Sequence, residues 1–543
     1  MITMLRKIIL LFGFIAIFAY SQGAPAALSQ TGGWSTPQAL SPENRSNWFP
    51  DIVVDAADNI HVAWSGGISA GVGSAYDVVY YTSSRDGQTW SEPGDIVALP
   101  SKGAVTRPAL LATRDGILHL TFRDYTIYYS HVPVLFVTPI NMLPFRVITS
   151  EPAGYFSVIG LDANDRLHII YTENSQDINC SGCFHIFHRL SHDGGLSWSP
   201  SVDISPVMNG AGKPKLVIDA QNNLHVIWEA GLGGDTGQIP DPTTARYSRS
   251  TDLGKTWSDF YEFPAPGGRA RNPTLGLDGK GQLVAAYLGL PEDVVYYQVS
   301  QNGGNSWSSP QPIPGVSGAW SYYQGRTDGY AMATDSAGQV HLVLVGRIDR
   351  EQIAPEPTSG LTAGETPTQT VTPEAALTPT PGANALSVLH LVWDGSRWSP
   401  PEAIVSMSGD VPEWPRIAVG LGNQLHVVWF VRDEAHIWGP EGATRYRIWY
   451  AQKVSDAPAL TPVAAFLTQE FSRSLENPTP TETSQAAQPI APTSTALPVL
   501  SRDIPKELVY SEQGYLRVVT YSLLPVVLIL GLIFVIIKVR ILK

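Results

Sequence analysis

Apolar and polar positions alternate in short runs along most of the chain. Clusters of Gly, Pro, Asn, Asp and Ser bound these runs, the two-residue period of half-buried β-strands rather than the longer period of helices. One run recurs: a turn, an aliphatic residue, His, two small or aliphatic residues and an aromatic. Its copies are Asn59-Ile-His-Val-Ala-Trp64, Ile117-Leu-His-Leu-Thr-Phe122, Arg166-Leu-His-Ile-Ile-Tyr171, Asn223-Leu-His-Val-Ile-Trp228 and Gln424-Leu-His-Val-Val-Trp429. Gln282-Leu-Val-Ala-Ala-Tyr287 and Gln339-Val-His-Leu-Val-Leu344 are weaker copies. The marker position thus falls at His61, His119, His168, His225, Val284, His341 and His426. Self-similarity at such a period is the mark of a repeat architecture.

Pro50, Pro108, Pro214, Pro273 and Pro415 each precede the marker by 11 residues. Proline at the first residue of a strand loses no ladder hydrogen bond, so these prolines are expected to open the first strand of a repeat. A third strand follows the marker strand, as in Asp77-Val-Val-Tyr-Tyr-Thr82, and a Gly-rich turn with a Trp-Ser pair leads to a fourth. The fold class is therefore all-β: a β-propeller of four-stranded antiparallel blades over residues 33–454, with seven blades expected and six as the alternative. The stretch from Gly33 to about Leu40 is expected to complete the last blade beside Ile448-Trp-Tyr-Ala451. Residues 348–384, rich in Thr and Pro, read as a disordered insert between the second and third strands of the sixth repeat.

The ends carry a different pattern. Arg6 and Lys7 precede a mostly apolar stretch from Ile8 to Tyr20 and then small residues, the order of a secretory signal peptide, here taken as residues 1–23. Residues 455–516 are rich in Pro, Thr, Ala and Ser and read as a stalk and juxtamembrane segment. Val518 to Ile537 is an uncharged run of bilayer length, so residues 518–537 are expected to form one C-terminal transmembrane helix. The basic tail 538–543 favours a cytoplasmic C-terminus, with the propeller on the extracytoplasmic side of a cell membrane. A lipid-anchor processing signal is the rival reading of this end.

The chain has 543 residues with 35 Lys and Arg against 48 Asp and Glu, a net charge of −13, and no basic run. Nucleic acid is excluded as a partner, because phosphate binding needs clustered cations. Two cysteines exclude a disulfide-rich scaffold. Cys180-Ser-Gly-Cys183 reads as a possible small disulfide, with free thiols or a metal as alternatives. No cofactor and no metal centre is assigned from the sequence.

Between the third and fourth strands stand Ser191-His-Asp-Gly-Gly-Leu-Ser-Trp198 and Ser250-Thr-Asp-Leu-Gly-Lys-Thr-Trp257, with degenerate copies ending at Trp90, Trp307 and Trp398. These resemble the Asp-box, or BNR, repeat of the sialidase superfamily. In this reading Ser191, Asp193, Gly195 and Trp198, with Ser250, Asp252, Gly254 and Trp257, are structural. The carboxylate accepts backbone N–H groups in the turn, Gly permits positive φ, and Trp fills the space between sheets. The recurring histidines read as structural too, since a fold repeats what an enzyme needs once.

Loops on the face opposite the Asp boxes carry the candidate ligand-binding residues Arg107, Arg271, Arg416, Trp48, Tyr155, Tyr322, Glu413 and Trp414, together with Asp51 and Glu229. Arginine clamps, aromatic platforms and nearby acids suit a glycan. The resemblance implies an arginine triad, a Tyr–Glu pair and a catalytic Asp for an exo-α-sialidase. Yet Asn47-Trp-Phe-Pro50 lacks the family's Arg, and the nearest Arg-x-Pro is Arg271-Asn-Pro273. No catalytic residue is therefore assigned. The expectation is a carbohydrate or cell-surface protein ligand bound without catalysis, with a glycoside hydrolase as the alternative.

Overall fold

The computed structural model describes residues 32–463, apart from 43–45, 70–74, 98–105, 151–152, 175–182, 207–209, 233–243, 320–328, 350–384, 409 and 434–445. The signal-peptide and transmembrane expectations, the stalk beyond residue 463, most of the insert, Tyr322 and Cys180 lie outside the described residues. Among the described residues no helix is long and apolar enough to cross a membrane.

The structure is an all-β propeller of antiparallel four-stranded blades. Strand β1 (Gln38–Ala39) comes first in the chain but joins the last sheet. The first sheet is β2 (Asn47–Val54), β3 (Ile60–Ser69), β4 (Ala75–Ser84) and β5 (Gly94–Val97). The second is β6 (Thr106–Ala112), β7 (Ile117–Asp124), β8 (Thr126–Pro133) and β9 (Arg146–Val147). The third is β10 (Gly154–Leu161), β11 (Leu167–Asn174), β12 (Phe184–Ser191) and β13 (Val202–Asp203). The fourth is β14 (Gly210–Ile218), β15 (Leu224–Leu232), β16 (Thr244–Ser250) and β17 (Tyr261–Phe263).

Strands β18 (Arg269–Leu277), β19 (Leu283–Leu290), β20 (Val294–Ser300) and β21 (Gln311–Ser317) follow in the same order. So do β22 (Ala331–Thr334), β23 (Val340–Ile348), β24 (Leu386–Trp393) and β25 (Glu402–Met407). These two sets form one eight-stranded sheet, because Val316 and Ser317 of β21 pair with Ile348 and Arg347 of β23. The last sheet is β26 (Asp410–Gly420), β27 (Gln424–Asp433) and β28 (Arg447–Val454), completed by β1. Residues 350–384 fall between β23 and β24.

Closure is made as the sequence suggests. Gln38 pairs with Tyr450 and Ala39 with Trp449, and the Leu40 N–H donates to the Ile448 carbonyl at 2.8 Å. The first strands touch in an unbroken circle, β2, β6, β10, β14, β18, β22, β26 and back to β2. Because strands alternate in direction, the turns after first and third strands share one face, and the remaining loops share the other.

The marker residues point into the sheets. His225 shares hydrogen bonds with the Tyr247 hydroxyl (2.7 Å) and the Asp219 carboxylate (3.3 Å), and His61 does the same with Tyr81 (2.6 Å) and Asp55 (3.3 Å). In the third and sixth repeats a second histidine replaces the tyrosine: His168 meets His188 at 3.0 Å and His341 meets His390 at 2.9 Å. A carboxylate from the first turn and a hydroxyl or imidazole from the third strand thus hold the rings of His61, His168, His225 and His341, whereas His119 and His426 meet only a tyrosine hydroxyl, at 2.7 Å each.

The recurring prolines do not open their strands. Pro50 is preceded in β2 by Asn47, Trp48 and Phe49, and Pro415 lies deep inside β26. The pairing register shifts at all five prolines, and the residue before each takes a positive φ: Phe49 (50°), Arg107 (54°), Lys213 (47°), Asn272 (49°) and Trp414 (55°). The prolines mark β-bulges, where a missing N–H costs no ladder bond.

Candidate functional site

These bulges build the site. A bulge re-aims the residue it displaces, and five first strands carry one at the same height. Side chains of the preceding blade hold several of them. The Ser65 hydroxyl accepts the Arg107 N–H at 2.9 Å, and the Glu229 carboxylate accepts the Asn272 N–H at 2.8 Å. Ser65 and Glu229 each stand four residues beyond a marker histidine, at the end of the second strand. Lys213 Nζ lies 3.4 Å from the same Glu229 oxygen and 3.3 Å from Asn272 Oδ1, so one buried carboxylate ties two bulges together.

Inside the circle of first strands is a cavity of about 300 Å³. Arg107, Lys213, Lys215 and Arg416 line it with Asp51, and Phe156 and Trp414 supply aromatic walls. Below it a more open cavity of about 640 Å³ shares Val217, Leu275 and Met332 with the first. Four cations face one carboxylate in the upper cavity, within a chain whose net charge is −13.

Arg107 is held among aromatic rings. Its guanidinium lies 4.1 Å from the Tyr155 ring centroid and 4.4 Å from that of Phe49, and it donates to the Tyr155 hydroxyl at 3.1 Å. Burial lowers its pKa to about 10, with the Arg123 charge adding to the effect and Tyr155 opposing it. Arg416 stacks on Trp414 at 4.1 Å and approaches Asp51 at 4.0 Å. Phe156 stacks on the other side of this group, 6.0 Å from Trp414.

Burial drives the Lys215 ammonium well below its ordinary pKa, and the Arg416 charge pushes the same way. Burial also raises the Asp51 carboxyl, against the pull of Arg416 and of the Leu110 N–H that it accepts at 2.7 Å. Both side chains keep part of their surface toward the cavity while the ring encloses them on all sides. A ligand carrying negative charge would relieve the mutual repulsion of Lys215, Lys213 and Arg416.

The sequence-derived candidates divide. Arg107, Arg416 and Trp414 line the cavity, and Tyr155 braces Arg107. Arg271 is 2% exposed and is not among the described residues that line the cavity, whereas Asn272 is. Glu413 is fully buried in an ion pair with Arg432. Trp48 packs edge-on against Tyr446 at 5.9 Å, away from the cavity. Lys213, Lys215, Asn272, Phe49 and Phe156 were not singled out in the sequence. All but Phe156 flank a recurring proline, as Arg107 and Arg416 do, and that adjacency is the signal that could have found them.

The Asp boxes are built as the motif implies. Asp193 Oδ1 accepts the Ser197 N–H at 2.9 Å, and Ser191 Oγ donates to the same carboxylate (2.8 Å) and accepts the Gly195 N–H (2.8 Å). Ser250, Asp252, Gly254 and Thr256 repeat the pattern, with Trp257 Nε1 donating to the Gly254 carbonyl at 3.2 Å. Cys183 is buried and disulfide-bonded. Among the described residues no group of His, Cys, Asp and Glu side chains could hold a metal ion.

No protein-family model and no curated protein matches the chain. Solved structures similar to it include a protein of unknown function from Dyadobacter fermentans, at 14% identity over 78% of this chain and 98% of that one, with a TM-score of 0.42. The NanB sialidase of Streptococcus pneumoniae is similar at 11% identity over 80% of this chain and 72% of that one, with a TM-score of 0.39. An α-L-arabinanase of Penicillium chrysogenum is similar at 12% identity over 78% of this chain and 99% of that one, with a TM-score of 0.40. The four-stranded blades make this chain a β-propeller, and the hydrogen-bonded turns at Ser191–Trp198 and Ser250–Trp257 are built as Asp boxes are.

Proposed function

We propose that this is a membrane-anchored, extracytoplasmic propeller of seven blades that binds an acidic carbohydrate in the cavity at its centre. Counting the halves of the eight-stranded sheet separately gives the seven, in agreement with seven marker positions and seven touching first strands. The observation that carries the ligand reading is the convergence of Arg107, Lys215 and Arg416 beside Trp414 and Phe156. Guanidinium and ammonium groups take up carboxylate or sulfate, and the Trp414 indole beneath Arg416 holds that guanidinium in place. The uncharged stretch 518–537 supports the anchor, and the order of residues 1–27 supports export.

Catalysis is the second reading, favoured by Asp51, whose raised carboxyl faces the cavity. Glycoside hydrolysis needs a partner for such an acid, a second carboxylate or a nucleophilic tyrosine. Among the described residues lining the cavity, Asp51 is the sole carboxylate and no tyrosine is present.

Residues 24–476 would be tested against an array of neutral, carboxylated and sulfated glycans, and against fluorogenic sialosides and other aryl glycosides. Binding confined to acidic glycans and weakened about tenfold or more by Arg416→Ala is the expected result. Turnover lost in Asp51→Asn would establish the hydrolase instead. Binding that ignores glycan charge would remove the cation cluster from the function.

A further inference from the structure

The second blade has no Asp box. In its place, between β8 and β9, fourteen residues from Val132 to Phe145 carry no charged side chain. Part of this loop does the work that Asp-box residues do in other blades. Val134 and Met142 are buried against Tyr81 of the first blade, in one apolar cluster. That packing uses only the inward side chains. Leu135, Phe136, Ile140 and Leu143 point outward and are between 45% and 73% exposed. With Val147, five of the eleven exposed large apolar side chains among the described residues lie in this short stretch.

Part of the loop's backbone is paired within the blade. Val134 N–H donates to the Gly116 carbonyl at 2.9 Å, and the N–H groups of Asn141 and Met142 both donate to the Thr138 carbonyl at 3.1 Å. Asn141 Nδ2 caps the Phe136 carbonyl at 2.9 Å, and Ser130 Oγ donates to the Met142 carbonyl. An uncharged loop with outward Leu, Phe and Ile is suited to the interfacial region of a bilayer, where apolar side chains reach hydrocarbon and the remaining backbone groups reach the headgroup water.

The position of the loop names the partner. It stands on the Asp-box face, and the chain leaves the last blade along the same face. There Leu460 N–H donates to Leu421 (2.7 Å), Val463 N–H donates to Ala56 (2.6 Å), and both side chains are exposed. Beyond it the sequence holds the uncharged run 518–537.

We infer that the Asp-box face rests on a lipid bilayer and that Leu135, Phe136, Ile140 and Leu143 insert into its outer surface, leaving the central cavity open on the opposite face. This rests on the membrane part of the function proposed above. It adds a second, independent contact between the propeller and lipid.

The test uses residues 24–476, which lack the uncharged run. Every described strand pairs within residues 38–454 and β1 closes the ring, so this piece carries its whole core. It would be floated with vesicles of phosphatidylcholine containing one part in about five of phosphatidylglycerol, and the bound fraction measured. The wild-type piece is expected to float. Phe136→Asp with Ile140→Asp, checked for an unchanged melting temperature, is expected to lose about tenfold in partitioning per replaced side chain. A fluorophore on Ile140→Cys should shift to the blue when vesicles are added.

A wild-type piece that stays unbound, or a double variant that floats equally well, would overturn the inference. So would a wild-type dimer that the double variant dissolves while neither floats, since the patch would then cover a second copy. Alkaline extraction of the full chain reads the anchor separately. A full chain that resists extraction beside a piece that does not float keeps the anchor and removes the loop contact; the opposite pair of results does the reverse.

Discussion

At the scale of single residues, the carboxylate that holds a marker histidine has one informative exception. Asp219 holds His225 with one carboxylate oxygen and the Asn223 side chain with the same oxygen at 2.7 Å. In the fifth repeat the marker is Val284, and Asp278 Oδ2 is buried without a hydrogen-bond partner. Asp278 Oδ1 still accepts the N–H groups of Lys280 and Gln282, both at 2.9 Å, as the turn requires. Asp219→Asn is therefore expected to cost about 2 kcal/mol, since it removes an acceptor from a buried ring. Asp278→Asn keeps the turn and relieves an unpaired charge, so it should cost under about 0.5 kcal/mol. Urea titration of both variants checks the contrast. Recurrence in the sequence was enough to mark these histidines as structural. Their tyrosine and histidine partners were not legible, because only strand pairing brings position 247 beside 225.

At the scale of elements, the Asp box and the marker histidine form a single joint. Gly195 packs its α-carbon against the Tyr129 hydroxyl of the preceding blade, and Trp198 sits edge-on to the same ring at 5.1 Å. Gly254 and Trp257 meet His188 likewise, and Gly304 and Trp307 meet Tyr247. Each ring so covered is the one hydrogen-bonded to its own blade's marker histidine. Gly194 and Gly195 separate turn strain from packing: both have positive φ, 68° and 90°, but a side chain at 194 meets nothing within 4 Å. Gly194→Ala should cost about 1 kcal/mol and Gly195→Ala at least about 3 kcal/mol, because only the second pushes two blades apart. Differential scanning calorimetry of the pair would read this directly. The turn motif itself was visible in the sequence. The prolines misled, because a bulge is a property of two strands in register and a lone proline is equally compatible with a strand's first residue.

At the scale of the whole molecule, the closed ring buries titratable groups that the unfolded chain would expose. Burial holds His119, His188 and His426 at about 3 and His390 at about 4, against an ordinary value of 6.5. Below pH 6.5 the unfolded chain takes up protons at these rings while the folded one does not, so stability falls as pH drops from 6.5 toward 3. The melting temperature is expected to decline by about 10 °C between pH 7 and pH 4. A flat profile across that range would show that these rings are protonated without unfolding. The cavity has the opposite sense. Lys215, held below its ordinary value by burial, gains its proton as pH falls, so an acidic ligand should bind more tightly at lower pH within the range where the fold survives.

The sequence by itself determined the β-class, the four-stranded repeat, the Asp-box turns, the ring closure near Gly33 to Leu40 and the expectation of membrane-directed ends. Each is carried by local periodicity or composition, which neighbouring residues alone express. Only the tertiary structure decided which charges converge. Arg107, Lys215 and Arg416 come from the second, the fourth and the last sheet, and Arg271, equally plausible in the sequence, is buried and does not line the cavity. The physical reason is that a bulge shifts register by one residue and so selects which neighbour of each proline faces the centre, while closure of the ring fixes which of those neighbours meet.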